Sequence, residues 1–243
     1  MTEYDRPPIS SQTFRGAPGN EAGEMWFFNH IKEDIDVIYD VGASNNSIFV
    51  EFTGEVHYFE PTQRIDALKQ KRNSNKKSHW NSYGLSNTTN KDMDVTWETG
   101  GIIPFRDGSY KYADLNGESP RKTIPVMTGE DYMEEVNQEN VDFLKIDTEG
   151  HELDIIKGFG KRIKNVNIIQ FEYSGINWAM NISMMDLINY LVKFDFCDFS
   201  YVAPDGIEKI DIDNFTDHYH WCNVVCFQKN FLHKFTNSET LFH

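Results

Sequence analysis

The sequence is short of thiols, of positive charge and of long apolar runs. Its three cysteines, Cys197, Cys222 and Cys226, are too few and too unevenly spaced for a disulfide framework. Cys222 and Cys226 sit in an apolar run that should be extended, so they read as packing residues rather than metal ligands. Against 38 Asp and Glu there are only 23 Lys and Arg, a net charge of −15. That balance argues against a nucleic-acid partner, since affinity for a phosphate backbone comes from Lys and Arg. The one basic cluster, KQKRNSNKK (69–77), is expected to be the solvated end of an exposed helix, where cations suit the dipole. No window approaches the roughly 20 apolar residues that cross a bilayer, so no membrane span is expected. The opening MTEYDRPPISSQTFRGAPGN lacks the apolar h-region of a secretory leader. A soluble, cytoplasmic protein is the expectation, and a homo-oligomer is compatible with it.

Glycine is missing at one telling place. VIYDVGASNNS (37–47) has the form of the first strand and turn of a nucleotide-binding sheet, yet it keeps only Gly42. A dinucleotide loop uses two further glycines, one for backbone approach to the pyrophosphate and one for close helix packing. Ser44 and Ser47 stand there instead. The next β-like run, VHYFE, ends in Glu60, about twenty positions after Asp40, where a carboxylate can accept both hydroxyls of a ribose. A ribose acceptor without a phosphate loop favours S-adenosylmethionine, which has no phosphate, over NAD. The plainer alternative is a strand end followed by an ordinary turn.

Residues 1–20, rich in Pro, Gly, Ser and Thr, are expected to form a loose arm, and 21–243 a single domain with a substantial core. Strands are predicted at Val37–Asp40, Val56–Phe59, Ser78–Tyr83, Val141–Ile146, Asn167–Phe171, Phe199–Val202 and Asn223–Phe227. Helices are predicted over Asn20–Ile31, from Pro61 to Lys71, after Thr128 with Asp131 as a capping-box variant, from Gly150 to Phe159, and after Ser183 with Asp186. Alternating strands and helices give an α/β fold: a mostly parallel sheet with helices on both faces. The turn signal Asp205–Gly206 and a last strand with no convincing helix after it predict an antiparallel pair at the C-terminal end.

The candidate chemistry lies at strand ends. Asp147 closes FLKID and Glu172 closes IIQFE on the neighbouring strand, so both should face one crevice. They could share a hard divalent cation such as Mg²⁺. Glu149, His151 and Glu152 follow Asp147. Glu152 also suits a helix N-terminus simply as an acid, and His151 is either a base or a surface helix residue. His218 and His220 precede the last strand, where alternation would put both on one face within reach of the crevice; His220 is the second candidate base. Lys145 is expected to pair with a carboxylate. Tyr173 and Trp178 suit the C–H face of a sugar, or ordinary core packing. The stretch 97–121, with Gly100, Gly101, Gly108, Gly117, Tyr110 and Tyr112, reads as a substrate-side insertion or lid.

Taken in order, YDVGASNNS, YFEPTQRIDALK, YGLS (83–86), IPVMTGEDYM and VDFLKIDTEGHELDIIKGF (141–159) resemble the FkbM-type family of S-adenosylmethionine-dependent methyltransferases. The family pattern is DVGAN-x-G, then F-E-P, a small-residue A-L-S turn, and K-I-D-x-E-G-x-E. Ser44 and Asn46 depart from it, standing where the family has Asn and its second Gly. The resemblance implies a Rossmann-like sheet of seven strands with an antiparallel last strand. It implies S-adenosylmethionine as cofactor and O-methylation of a hydroxyl on a sugar, a glycan or another small molecule. It points to Asp40, Gly42, Ala43, Ser44, Asn46, Glu60, Pro61, Tyr83, Gly84, Leu85 and Asp147 for the cofactor, with Asp147 and Glu149 at the reacting end. Two rivals stand beside it: an NAD(P)-dependent oxidoreductase on a similar sheet, and a binding module that kept the fold and lost turnover.

Overall fold

The computed structural model describes residues 21–72, 76–97, 102–104 and 121–232. The expected arm (1–20), most of the 97–121 stretch and the middle of the basic cluster lie outside the described residues. Helix α1 (Glu21–Ile31) leads into β1 (Val37–Val41), β2 (Glu55–Phe59), α2 (Arg64–Lys71), β3 (Ser78–Asn81) and β4 (Gly84–Ser86). Then come β5 (Lys91–Trp97), β6 (Ile102–Pro104), β7 (Arg121–Thr128), α3 (Gly129–Glu135), β8 (Val141–Ile146), α4 (Glu152–Gly158) and β9 (Val166–Tyr173). The C-terminal part holds α5 (Gly175–Ala179), α6 (Met184–Val192), β10 (Phe196–Ala203), β11 (Gly206–Lys209), β12 (Cys222–Gln228) and α7 (Lys229–Leu232).

The main sheet has the order β11-β10-β12-β9-β8-β1-β2-β3. Strands β9, β8, β1, β2 and β3 run parallel, and β12 lies antiparallel between β9 and β10. This is the expected Rossmann-like arrangement, with β11 as an eighth strand. The hairpin turn falls on Pro204 and Asp205, so Gly206 is already paired with Ala203. From β1 the chain builds outward through β2 to β3, then returns to place β8 on the other side of β1. That reversal opens a crevice at the carboxyl ends of β1 and β8.

Both faces of the sheet are covered, which is why β8 (VDFLKI) and β9 read as nearly continuous apolar runs. One core gathers Tyr39, Phe59, Leu144, Ile146, Phe159 and Leu187. The other gathers Phe27, Ile38, Phe49, Tyr58, Phe143 and Val225 under α1. The predicted caps form: Thr128 accepts from the Asp131 N–H at 3.0 Å, and Ser183 and Asp186 cap α6 reciprocally. Cys222 and Cys226 are free and buried in β12, as packing residues. Among the described residues no helix is long and apolar enough to cross a membrane.

Two expectations need correction. The predicted strand Ser78–Tyr83 stops at Asn81, and Gly84–Ser86 starts a second sheet of order β4-β7-β5-β6 that the sequence reading did not anticipate. Among the described residues its own buried cluster is Val95, Ile124 and Val126, with Met93 packed against it. KDMDVTW accordingly sets apolar Met93 and Val95 between polar neighbours. The basic cluster is also not merely solvated. Arg72 is buried and donates to the carbonyls of Phe49 (2.6 Å), Gly54 (3.2 Å) and Lys77 (3.1 Å), while Lys71 reaches Asn46 Oδ1 at 2.9 Å. Its cations hold the 45–54 loop against the sheet.

The small sheet is fastened to α4 by backbone contact. A Cβ on Gly158 would lie 2.0 Å from the Ser86 carbonyl oxygen, whereas one on Gly84 would meet nothing nearer than 3.6 Å. Gly158→Ala should therefore lower the unfolding free energy by ~2–3 kcal/mol and Gly84→Ala by less than ~1 kcal/mol. Urea denaturation of the two variants beside the parent checks the contrast.

Candidate functional site

The site begins where β1 and β8 end. Gly42 has φ +81, and a Cβ on it would fall 1.9 Å from the Asp147 carbonyl oxygen. Only glycine permits that contact. Asp147 N–H donates to the Val41 carbonyl at 2.9 Å, so the two strand ends are joined backbone to backbone. The loop that follows turns its own donors inward. Gly42 and Ala43 N–H both donate to the Phe59 carbonyl (3.0 and 3.2 Å), and Ser44 N–H donates to Glu60 Oε2 (3.0 Å). Glu60 Oε1 accepts from Thr62 N–H at 2.9 Å. Glu60 is thus a buried carboxylate clamped between the two loops, with one lone pair on each oxygen still uncommitted by these bonds. Ser44 itself is left-handed, at φ +52.

These loops frame a cavity of about 250 Å³. Of the residues predicted for a cofactor, Gly42, Ser44, Glu60, Pro61, Gly84, Leu85 and Asp147 line it; of those predicted for chemistry, Asp147, Glu149, His151 and Glu172 do. Its apolar side includes Met93, Val95 and Ile124 from the small sheet. Those three were missed in the sequence, although the alternation of KDMDVTW carried the signal.

Of the residues predicted for the site, Asp40, Ala43, Asn46, Tyr83 and His220 do not line the cleft, nor do the other candidates His218, Tyr173 and Trp178. Asp40 alternates to the Ile38 face of β1, where it is buried and accepts from Ser47 Oγ at 2.5 Å. Burial pushes its carboxyl up to about 6, against the pull of Lys145. Ala43 packs into the core under α1. Asn46 turns its side chain to Lys71, and Tyr83 donates to Asn81 Oδ1 at 3.1 Å and packs on Phe59 and Tyr132. His220 is not on a strand, because β12 starts only at Cys222. With His218 it lines a small separate cavity beside Tyr173 and Asp217 that shares no residue with the cleft. Tyr173 is buried and donates to Asp217 Oδ2 at 2.6 Å, and Trp178 does not line the cleft.

The acidic loop after β8 is built by Glu152. Its buried carboxylate accepts from Thr148 N–H, Thr148 Oγ1 and Gly150 N–H, each at 3.1 Å, and from Asn177 Nδ2 at 2.8 Å. These bonds hold Glu149 (φ +53) and Gly150 (φ +91) in consecutive left-handed conformations. Glu152 therefore shapes the loop, and the expectation of a plain helix-start acid is too weak for it. His151 is buried rather than on the surface, with Nε2 3.0 Å from Ser86 Oγ and Nδ1 3.6 Å from Asp154.

Lys145, Asp147 and Glu172 interact at the ends of β8 and β9, and Glu60, Arg64 and Glu149 also line the cleft. Lys145 Nζ lies 3.1 Å from Asp147 Oδ2 and 3.6 Å from Glu24. Burial would lower the Lys145 pKa, but Asp147, Glu24 and Asp40 outweigh it and hold the ammonium protonated. Glu172 is pushed up to about 9, by burial first and then by the Asp147 charge, although the Trp221 side chain donates to it. Trp221, absent from the sequence expectations, is 43% exposed beside this carboxyl. Asp147 and Glu172 do face one crevice. The donor set is nonetheless a poor fit for Mg²⁺: it offers two carboxylates, and a buried ammonium already neutralises one of them.

The model of the methyltransferase FkbM domain matches residues 40–201. The hexuronic acid methyltransferase AglP of Haloferax volcanii is 29% identical over 154 residues, covering 60% of this chain and 59% of AglP. The chain thus spans about three-fifths of the length of that curated relative. Among solved structures, the METTL16 methyltransferase domain aligns with 84% of this chain and 65% of its own, at 12% identity and a TM-score of 0.41. An S-adenosylmethionine-dependent methyltransferase from Thermotoga maritima aligns with 86% of this chain and 91% of its own, at 9% identity and a TM-score of 0.40. The matched residues 40–201 take in the Gly42 loop, Glu60, the whole acidic loop and Glu172, and on that span the chain belongs to the methyltransferase FkbM domain family.

Proposed function

We propose that the protein is an S-adenosylmethionine-dependent O-methyltransferase acting on a hydroxyl of a sugar or glycan. One observation carries the choice of cofactor: the N–H groups of Gly42, Ala43 and Ser44 all donate within the protein, so none is offered to a pyrophosphate. That speaks against the NAD(P) oxidoreductase, whose loop must present such donors. Glu60, buried at the tip of β2 with acceptor capacity left on both oxygens, suits the two hydroxyls of a ribose. Gly42, Ser44, Pro61 and Leu85 complete the walls on that side. When bound, the cofactor supplies an electrophilic methyl group on its sulfonium.

The remaining task is to remove a proton from an alcohol held in line with that methyl group. Asp147 is proposed as the base. It opens into the cleft, and the Lys145 ammonium fixes one of its oxygens at 3.1 Å. Glu172, neutral at physiological pH, can donate a hydrogen bond to the acceptor. Trp221, exposed beside Glu172, is proposed to pack its ring on the C–H face of a pyranose. The hexuronic acid in the name of AglP supports a saccharide acceptor. The chain between β5 and β7 is proposed as the acceptor-side insertion, because Val95 and Ile124 near its roots line the cleft.

Glu60→Gln should weaken binding of S-adenosylhomocysteine at least ~10-fold, the equivalent of one to two hydrogen bonds, with an unchanged circular dichroism spectrum; calorimetry reads the affinity. Asp147→Asn should keep that affinity within a few-fold and lose at least ~100-fold in turnover of a sugar acceptor with labelled S-adenosylmethionine. Full turnover in this variant would remove Asp147 from the mechanism. Between the ordinary 4.5 and about 9, folded Glu172 keeps a proton that the unfolded chain has lost. Stability should therefore fall as pH rises through that window, by at most ~1.4 kcal/mol per unit. Melting curves from pH 5.5 to 9 should show this slope, and Glu172→Gln should flatten it.

A further inference from the structure

One polar cluster takes no part in the cleft. Glu55 and His57 lie two apart on β2, and His79 is the register partner of His57 on β3, the edge strand of the main sheet. Glu55 opens β2, so the group sits toward the strand starts, away from the crevice at the strand ends. Ligand atoms of all three side chains lie within 4.8 Å of one another. Nε2 of His57 and Nε2 of His79 converge on the same oxygen, Glu55 Oε1, at 3.2 and 2.7 Å. The two imidazoles are stacked, with centroids 4.0 Å apart and planes 3° from parallel.

We infer that Glu55, His57 and His79 form a second, independent site for a divalent transition-metal ion of the zinc type. Two imidazoles and one carboxylate are the ligand set that such ions take, with water in the open position. His57 is buried, while His79 stands at the solvent edge and leaves an approach. The outer partner is already in place. Tyr132 Oη lies 2.6 Å from His57 Nδ1 and accepts from Asn81 Nδ2 at 3.2 Å. Without metal, the Tyr132 hydroxyl donates to Nδ1 and the Nε2 proton of His57 points at Glu55. On metal binding the tautomer shifts: Nδ1–H donates to Tyr132, and the Nε2 lone pair is released toward the ion. No net proton is lost from a neutral ring, and the tyrosine exchanges one role for another. Lys77 pairs with the second oxygen of Glu55, but it is an exposed, flexible chain that can withdraw to solvent, unlike the buried Lys145 beside Asp147. A metal here would tie the edge strand β3 to β2 and, through Tyr132, to α3. It would not touch the methyl-transfer cleft, since none of the three ligands lines it.

The test uses the untagged full chain, stripped with chelator and titrated with Co²⁺, then displaced with Zn²⁺. One equivalent of Co²⁺ should give visible ligand-field bands, and either ion should raise the melting temperature. His79→Ala and Glu55→Gln should abolish the bands and the melting shift while melting normally without metal. Their affinity loss should exceed the ~100-fold that removal of an outer partner can reach. Tyr132→Phe should retain the bands with affinity reduced ~10-fold, and His220→Ala should bind as the parent does. The proposal is overturned if the parent shows no bands at millimolar Co²⁺, or if His79→Ala binds with parental affinity.

Discussion

Everything in the cleft depends on one backbone contact, that of Gly42 against the carbonyl of Asp147. The two residues end adjacent parallel strands, and there is no room between them for even a methyl group. Because the chains touch, the loop carrying Ser44 and the loop carrying Glu149 open on the same small space. Wider separation would leave Glu60 and Asp147 without a shared cavity. Around the left-handed turn at Gly42 the N–H groups of Gly42, Ala43 and Ser44 all point to Phe59 and Glu60, so these three donors are committed within the protein.

The acidic end of the cleft is organised by unequal solvation rather than by number of charges. Asp147 sits against a protonated Lys145, whereas Glu172, more deeply enclosed and facing the Asp147 charge, holds its proton. Two carboxyl groups thus meet different environments within one site: Asp147 is ion-paired, and Glu172 is kept as a donor. Glu152, a third acid a few residues away, is saturated by backbone and side-chain donors and serves only to hold the loop. Burial and hydrogen bonding, not proximity to the cleft, separate these three roles.

Much of this arrangement was legible in the sequence. The alternation of apolar runs, the capping pairs Thr128–Asp131 and Ser183–Asp186, and the spacing from Asp40 to Glu60 are local signals, and each corresponds to an observed element. What could not be read was set by long-range contact. The small sheet carries only the short alternation of KDMDVTW as a local signal, and its β5–β7 pairing joins segments far apart in sequence. Asp40 and Asn46 lie in the right segment but on the wrong side of it, since a side chain's face follows from strand alternation and from a turn whose shape Gly42 and Ser44 decide. His220 was placed by extending a strand two residues too far. Trp221 was overlooked because only the three-dimensional structure puts it beside Glu172.

The two sides of the cleft rest on very different foundations. One is the carboxyl edge of an eight-stranded sheet with packed cores on both faces; the other includes the small sheet, whose separate buried cluster among the described residues is Val95, Ile124 and Val126. Local opening costs least where few apolar groups are buried. The strand-end side of the cavity is thus tied to the global stability of the protein, while the wall formed by Met93, Val95 and Ile124 rests on the smaller cluster and can open, or accumulate substitutions, at smaller cost to the fold.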